Sequence, residues 1–265
     1  MAALPVWVDF LTDACEVQEA GFHFEEGGCH GMALALLEEM RRLDQDDWRI
    51  ACSEDRGHFV VRQGEVALDH QGRLHPGAAA RYTVVVEGST AAEVARAAGL
   101  DSDSVEADLE WARRVIRSAK SLASEKYAML GWPLRLASAG QVAKYIDGVS
   151  PSGVDREFVE EYFRGTQACL MVVDLADIRV NAAGVDANRP VNGRDKAYRA
   201  LPAETAPPLV VDERLCIEDG HHRRRAALAR GDTAMLAYQA FDSERDLDLE
   251  TEPEEVSWPR QSPGL

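Results

Sequence analysis

The sequence predicts an α+β protein of two small domains joined by a helical segment, and three observations carry that expectation. A chain of 265 residues with 46% hydrophobic content exceeds what one small core needs, since domains run to about 100 to 200 residues. Its first third reads as strand-rich, with apolar and β-branched runs at 48–52, 58–62, 66–69 and 82–87. Residues 90–127 then carry helical periodicity alone, and helix and strand patterns alternate again from Tyr127 to Asp242. The expected boundaries are 1–88 for the first domain, 89–126 for the helical connector, 127–242 for the second domain and 243–265 for a tail.

Along the chain, a glycine-rich turn at Gly27-Gly28 precedes an apolar helix beginning at Cys29, and the strands follow with a turn at Gln63-Gly64. Residues 91–98 form a short helix. Residues 105–122 form a longer one, with Val105, Leu109, Ala112, Val115, Ile116 and Ala119 on one face and caps from Asp101 to Ser104. Short helices at 139–145 and 155–163 lead to a strand at 168–173. Strands at 208–211 and 215–217 are joined by a turn at Asp212-Glu213-Arg214. A helix from His221 is stopped by Gly231, and a last strand covers 234–240. Beyond Asp242 the chain is acidic and contains Pro253, Pro259 and Pro263, the composition of a mobile, dispensable tail.

The net charge of −17 argues against non-specific nucleic-acid binding, which relies on lysine and arginine to neutralise phosphates. The basic spot at Arg223, Arg224, Arg225 and Arg230 suits a small phosphorylated ligand better than a long polyanion. No apolar run reaches the roughly 18 to 20 residues of a membrane span, and no basic stretch with an apolar core opens the chain, so a cytoplasmic protein is expected. Cys15, Cys29, Cys52, Cys169 and Cys216 are odd in number and lack a CxxC pair, which supports neither a disulfide framework nor a structural zinc site.

Asp219-Gly220-His221-His222-Arg223 reads as a phosphate-binding turn that opens a helix. Asp219 is placed to cap it, Gly220 lets backbone approach a ligand, and His221, His222, Arg223 and Arg224 bring donors to a positive helix end. The surrounding run resembles the ParB/sulfiredoxin fold: Leu175 and Ile178 as Leu-x-x-Ile, then Pro-Pro-Leu-Val-Val, Ile-x-Asp-Gly-His-His-Arg, Ala-Ala, Gly and a closing strand. The Asp-Gly-His-x-Arg form is nearest the free-serine-kinase branch, and histidine stands where sulfiredoxins carry cysteine. That resemblance implies a nucleotide, ATP or another, bound at Gly220, His221, His222, Arg223 and Arg224. It also implies phosphoryl transfer or hydrolysis, with Asp219 and His222 in catalytic roles and Mg²⁺ held partly by Asp219 or Glu218.

The N-terminal part offers a second site. Cys29 at a helix start lies where the dipole favours thiolate, His58 opens one strand run, and Asp69 ends the next. This order resembles papain-like and transglutaminase-like cysteine enzymes, and the resemblance implies Cys29 as nucleophile, His58 as general base and Asp69 as its orienter. His23, Glu25, Glu26, Cys29 and His30 share a loop but follow no recurring zinc spacing. Three functions follow. The first is nucleotide-dependent phosphoryl transfer or hydrolysis. The second is a cysteine peptidase, amidase or acyltransferase with a nucleotide-sensing C-terminal domain. The third is a non-enzymatic binding module of the phage or mobile-element kind. The partners expected are a nucleotide and a small-molecule substrate, with no membrane, and a protein partner stays open.

Overall fold

The computed structural model describes residues 3–43, 47–55, 57–150, 154–180 and 198–242, so the expected tail at 243–265 lies outside the described residues. Helices and mostly antiparallel sheets make the protein α+β. Contacts divide the chain into one unit of residues 7–123 with 1–2, and another of 3–6 with 124–265.

In the first unit, five described strands form an antiparallel sheet in the order Gly72–Arg73, Val66–Asp69, Phe59–Gln63, Arg49–Cys52, Val84–Val86. The central strands are buried on both faces, which is why they read as nearly continuous apolar runs. One face carries Ala51, Val60 and Ala67, covered by Ala79 with Leu74 and Tyr82. The opposite face, with Ile50, Phe59 and Val61, receives the helix Cys29–Arg42.

The helix Ala91–Ala98 is bounded as its sequence suggests, by a capping box between Thr90 and Glu93 and by Gly99 in the left-handed region at its end. The next helix runs over Ser102–Met129, longer than expected, because residues beyond its capped start continue to bury Ala119, Ala123 and Tyr127. These two helices are not a separate connector. Ala91, Val94, Ala95 and the stripe Val105, Leu109, Ala112, Val115, Ile116 and Ala119 are buried, and residues through Ala123 belong to the first unit. The long helix comes close to the Cys29 helix at Gly31, where an added Cβ would meet the Asp108 carbonyl carbon at 2.4 Å and Leu109 N at 2.6 Å. Further along both helices Arg113 pairs with Glu38 at 2.8 Å and Lys120 with Glu39 at 3.0 Å. Gly31→Ala should therefore destabilise the protein by about 1 to 3 kcal/mol through overpacking. Thermal unfolding tests this, and an unchanged midpoint would contradict so close an approach.

In the second unit the sheet order is Leu4–Pro5, Thr166–Asp174, Ala234–Asp242, Leu209–Val211, Ile217–Asp219, with Arg135–Leu136 also paired to Thr166–Asp174. Ala234–Asp242 runs antiparallel to Thr166–Asp174 over its whole length and parallel to Leu209–Val211. The expected turn at Asp212 forms: Asp212 Oδ1 accepts from Arg214 N at 2.9 Å and Cys216 N at 2.6 Å. The returning strand begins two residues later than expected, because Cys216 bridges to Arg179 instead. Trp132, Tyr145 and Tyr238 pack as a buried aromatic cluster. The strand Leu4–Pro5 is too short to carry a sequence signal and was not expected.

Candidate active site

Cys29 is set by an irregular approach. A π-helical turn, Phe24–Gly28, leads into the helix Cys29–Arg42, and Gly27 sits at φ 141°, a conformation that favours glycine. Gly28, the N-cap, leaves no room for a side chain, since a Cβ would lie 2.5 Å from the His23 imidazole. His58 directly precedes the strand Phe59–Gln63, and Asp69 is the last residue of the neighbouring strand. Three separate elements thus deliver the three side chains.

His58 Nε2 lies 3.1 Å from Asp69 Oδ2, and Cys29 Sγ stands beside His58, 3.4 Å from the Phe59 amide that follows it. Asp69 is itself held, accepting from Gln71 N on Oδ1 at 2.8 Å. With Nε2 committed to Asp69, Nδ1 remains for the sulfur. Phe59 N also donates to Cys29 Sγ at 3.4 Å. Burial pushes the Cys29 thiol up, but hydrogen bonds from His30, His58 and the Phe59 amide, with the His58 charge, bring it down to about 6. The bonds to Asp69 and then Cys29 push His58 up to about 9 against the opposing effect of burial. A thiolate–imidazolium pair is the resulting state near neutral pH. Cys15 shows the contrast: burial, aided by the Asp69 charge, pushes its thiol up to about 11.

Two neighbours were not anticipated. His70 is buried, with neither ring nitrogen in a hydrogen bond among the described residues, and its Nε2 is 3.9 Å from Glu25 Oε1. Tyr82 lies beside His58, ring centroids 5.8 Å apart. Adjacency to Asp69 was the one signal for His70, and nothing local marked Tyr82. The loop histidines do not converge on Cys29 as a metal set. His23 Nε2 and His30 Nε2 instead flank one carboxylate, at 2.8 Å from Asp108 Oδ1 and 2.9 Å from Oδ2, and His23 stacks on Trp111 at 4.4 Å.

The turn at Asp219–Arg223 departs from expectation in two ways. Asp219 does not cap the helix His221–Arg230. Gly220, at φ 102°, is the N-cap without a side-chain bond, and the Asp219 carboxylate pairs with Arg223. Arg223 does not face a ligand. It is buried, and its Nη1 donates to Pro208 O at 2.6 Å, Pro207 O at 3.2 Å and Tyr145 Oη at 3.3 Å. Two proline carbonyls with no helical or sheet partner attract a guanidinium, which satisfies them together. Arg224 is likewise drawn inward, to Leu175 O and Ile178 O at 3.4 Å. His222 Nδ1 lies 2.8 Å from an Arg225 nitrogen, and burial holds His221 below the usual imidazole range. Glu218 is raised by burial, with Tyr162 as hydrogen-bond partner pulling it down. Asp219 Oδ2 is already taken by Arg223, so a Mg²⁺ ion there would compete with a buried guanidinium. Glu218 instead groups with Asp212 and Cys216.

No helix of the described residues is long and apolar enough to cross a membrane. Compared with known proteins, the chain matches no family model, no curated protein and no solved structure.

Proposed function

We propose that the first unit is a cysteine-dependent acyl-transferring hydrolase acting on an amide, ester or thioester. The observation that carries this is the His58 imidazole, held on Nε2 by Asp69 at 3.1 Å and next to Cys29, whose thiol it helps bring down to about 6. The thiolate attacks the substrate carbonyl carbon, and the tetrahedral oxyanion forms near the positive end of the Cys29 helix. The bond to the leaving group breaks as the His58 imidazolium gives it a proton, leaving a thioester on Cys29 and a neutral imidazole. Water, deprotonated by His58, then attacks the thioester, and the carboxylic acid leaves as the thiolate returns. Asp69 keeps the ring in the tautomer that both steps need.

p-Nitrophenyl acetate tests the reading. Mass spectrometry is expected to find one acetyl group on Cys29, release of nitrophenol should show a burst, and Cys29→Ala and His58→Ala should abolish both. Acetylation elsewhere, or equal turnover by Cys29→Ala, would refute it.

A phosphate-bearing ligand in the second unit is a second reading. The left-handed Gly220 favours it, as does the first helical bond running from Arg224 N to Gly220 O, which places the His221, His222 and Arg223 amides ahead of the ladder. In this reading the amides and His222 hold the phosphate, Arg223 braces the turn, and Asp219 carries no metal. Raised thermal stability with a nucleoside triphosphate, lost in His222→Ala, is the expected result. No shift with any nucleotide would dismiss it.

A further inference from the structure

We propose that His58, Asp69 and His70, with Glu25 at the rim, form a binding site for a divalent transition-metal cation of the Zn²⁺ type, and that filling it disarms Cys29. The disarming rests on the hydrolase reading above; the metal site does not. One ligand atom from each of His58, Asp69 and His70 lies within 4.8 Å of the other two. His58 Nε2 and Asp69 Oδ2, at 3.1 Å, are already near the separation of about 3.3 Å that a tetrahedral ion with bonds of about 2.0 Å imposes.

His70 supplies the independent observation. It is 4% exposed, and both ring nitrogens are buried without a hydrogen-bond partner among the described residues. A neutral imidazole carries one donor and one lone pair, and burying them unmatched costs about 1 to 3 kcal/mol each. A metal accepting that lone pair removes the acceptor half of the cost. Glu25 Oε1, 3.9 Å from His70 Nε2 and accepting from Gln71 Nε2 at 3.5 Å, is an exposed carboxylate within reach as a fourth ligand. Two imidazoles and two carboxylates match borderline ions, not Ca²⁺ or Mg²⁺, which demand mostly oxygen.

Occupancy and catalysis exclude each other at one atom. The cation takes the His58 Nε2 lone pair, and the proton that nitrogen carried leaves to solvent. Asp69 turns from orienting the imidazole to ligating the ion. His58 can still donate from Nδ1 to the thiolate, but it can no longer cycle a proton between leaving group and water.

The test is titration of the full chain, freed of metal by chelator, with Zn²⁺ by calorimetry and with Co²⁺ by visible absorption. One site is expected, retained in Cys29→Ala, without a thiolate-to-cobalt charge-transfer band. Loss of an outer partner weakens metal sites by 10- to 100-fold, so loss of the ligand His70 in His70→Ala should weaken this one by about 100-fold or more. Glu25→Gln changes an exposed side chain and guards against misfolding as the cause; it should weaken binding several-fold. Zn²⁺ should also stop turnover of p-nitrophenyl acetate by the parent protein and not by His70→Ala. Zn²⁺ affinity unchanged in both His70→Ala and Glu25→Gln, or lost in Cys29→Ala, overturns the site. Binding that leaves ester turnover unchanged overturns the disarming. Failure of the hydrolase reading is read separately, as no acetylation of Cys29 in metal-free protein.

Discussion

Alkylation of Cys29 by iodoacetamide should show an inflection near pH 6, three pH units below the ordinary thiol value of 9.0. At pH 7 a thiol titrating near 6 is about 90% ionised and one near 9 about 1%, a difference of roughly 100-fold in thiolate. A less basic thiolate is intrinsically slower, by roughly 15- to 30-fold over that interval. The rate at pH 7 therefore gains only several-fold, and the profile is the sharper readout. His58→Ala should move the inflection up, because burial then opposes fewer donors. Cys15, pushed up to about 11, should stay unmodified throughout. The histidine sets the other limit. Its imidazole is held protonated up to about 9, so the ion pair exists between about 6 and 9. Ester hydrolysis should accordingly rise as pH climbs through the first value and fall beyond the second, the two limbs belonging to the coupled pair. A profile with one inflection near the ordinary thiol value would refute the pairing. His70 and Tyr82, which also face His58, are held in their neutral forms by burial, which lowers the one and raises the other.

Arg223→Ala should be among the most destabilising substitutions in the second unit. Removing the guanidinium leaves the Asp219 carboxylate without that partner, Pro207 O without its side-chain donor, and Pro208 O with the Tyr145 hydroxyl as its remaining donor. Breaking a buried pair from one side costs about 3 to 5 kcal/mol, equivalent to roughly 6 to 20 °C in the unfolding midpoint. Arg223→Lys should recover little, since one ammonium cannot reach acceptors spread around a planar fork. Differential scanning calorimetry checks both. A stable Arg223→Ala protein would return this arginine to the ligand-facing role that its motif suggests.

Local order was legible where local chemistry decides it. The strand runs, the Thr90 and Gly99 boundaries and the Gly231 stop all follow from residues within a few positions. The placing of His58 against Asp69, with Cys29 beside them, was also legible, because a helix start and two strand ends carry these residues in sequence order. What failed was non-local. A run of arginines after Asp-Gly looks solvent-facing, and nothing nearby announces that Pro207 and Pro208 carbonyls lie within reach of Arg223. Periodicity marked the apolar face of the long helix without saying what covers it, so a packed element was read as a connector. His70 stands beside Asp69, and alternation along a strand would place it on the other face. Its approach to the same cluster depends on the turn after Asp69, where Gln71 N bends back to the carboxylate.

The pairing of Leu4–Pro5 with Met171 and Val172 makes the first unit, topologically, an insertion within the second. One rim of Thr166–Asp174 is closed in two pieces, by Arg135–Leu136 near Cys169 and by Leu4–Pro5 beyond it. A fragment begun at Ser124 would lack the second piece and present bare amide and carbonyl groups along an apolar strand, an invitation to edge-to-edge association. During synthesis Leu4 and Pro5 emerge well before Thr166–Asp174 and must wait for their partner. Expression of the second unit alone should therefore succeed as a fusion that restores residues 3–6 ahead of Ser124, and aggregate without them.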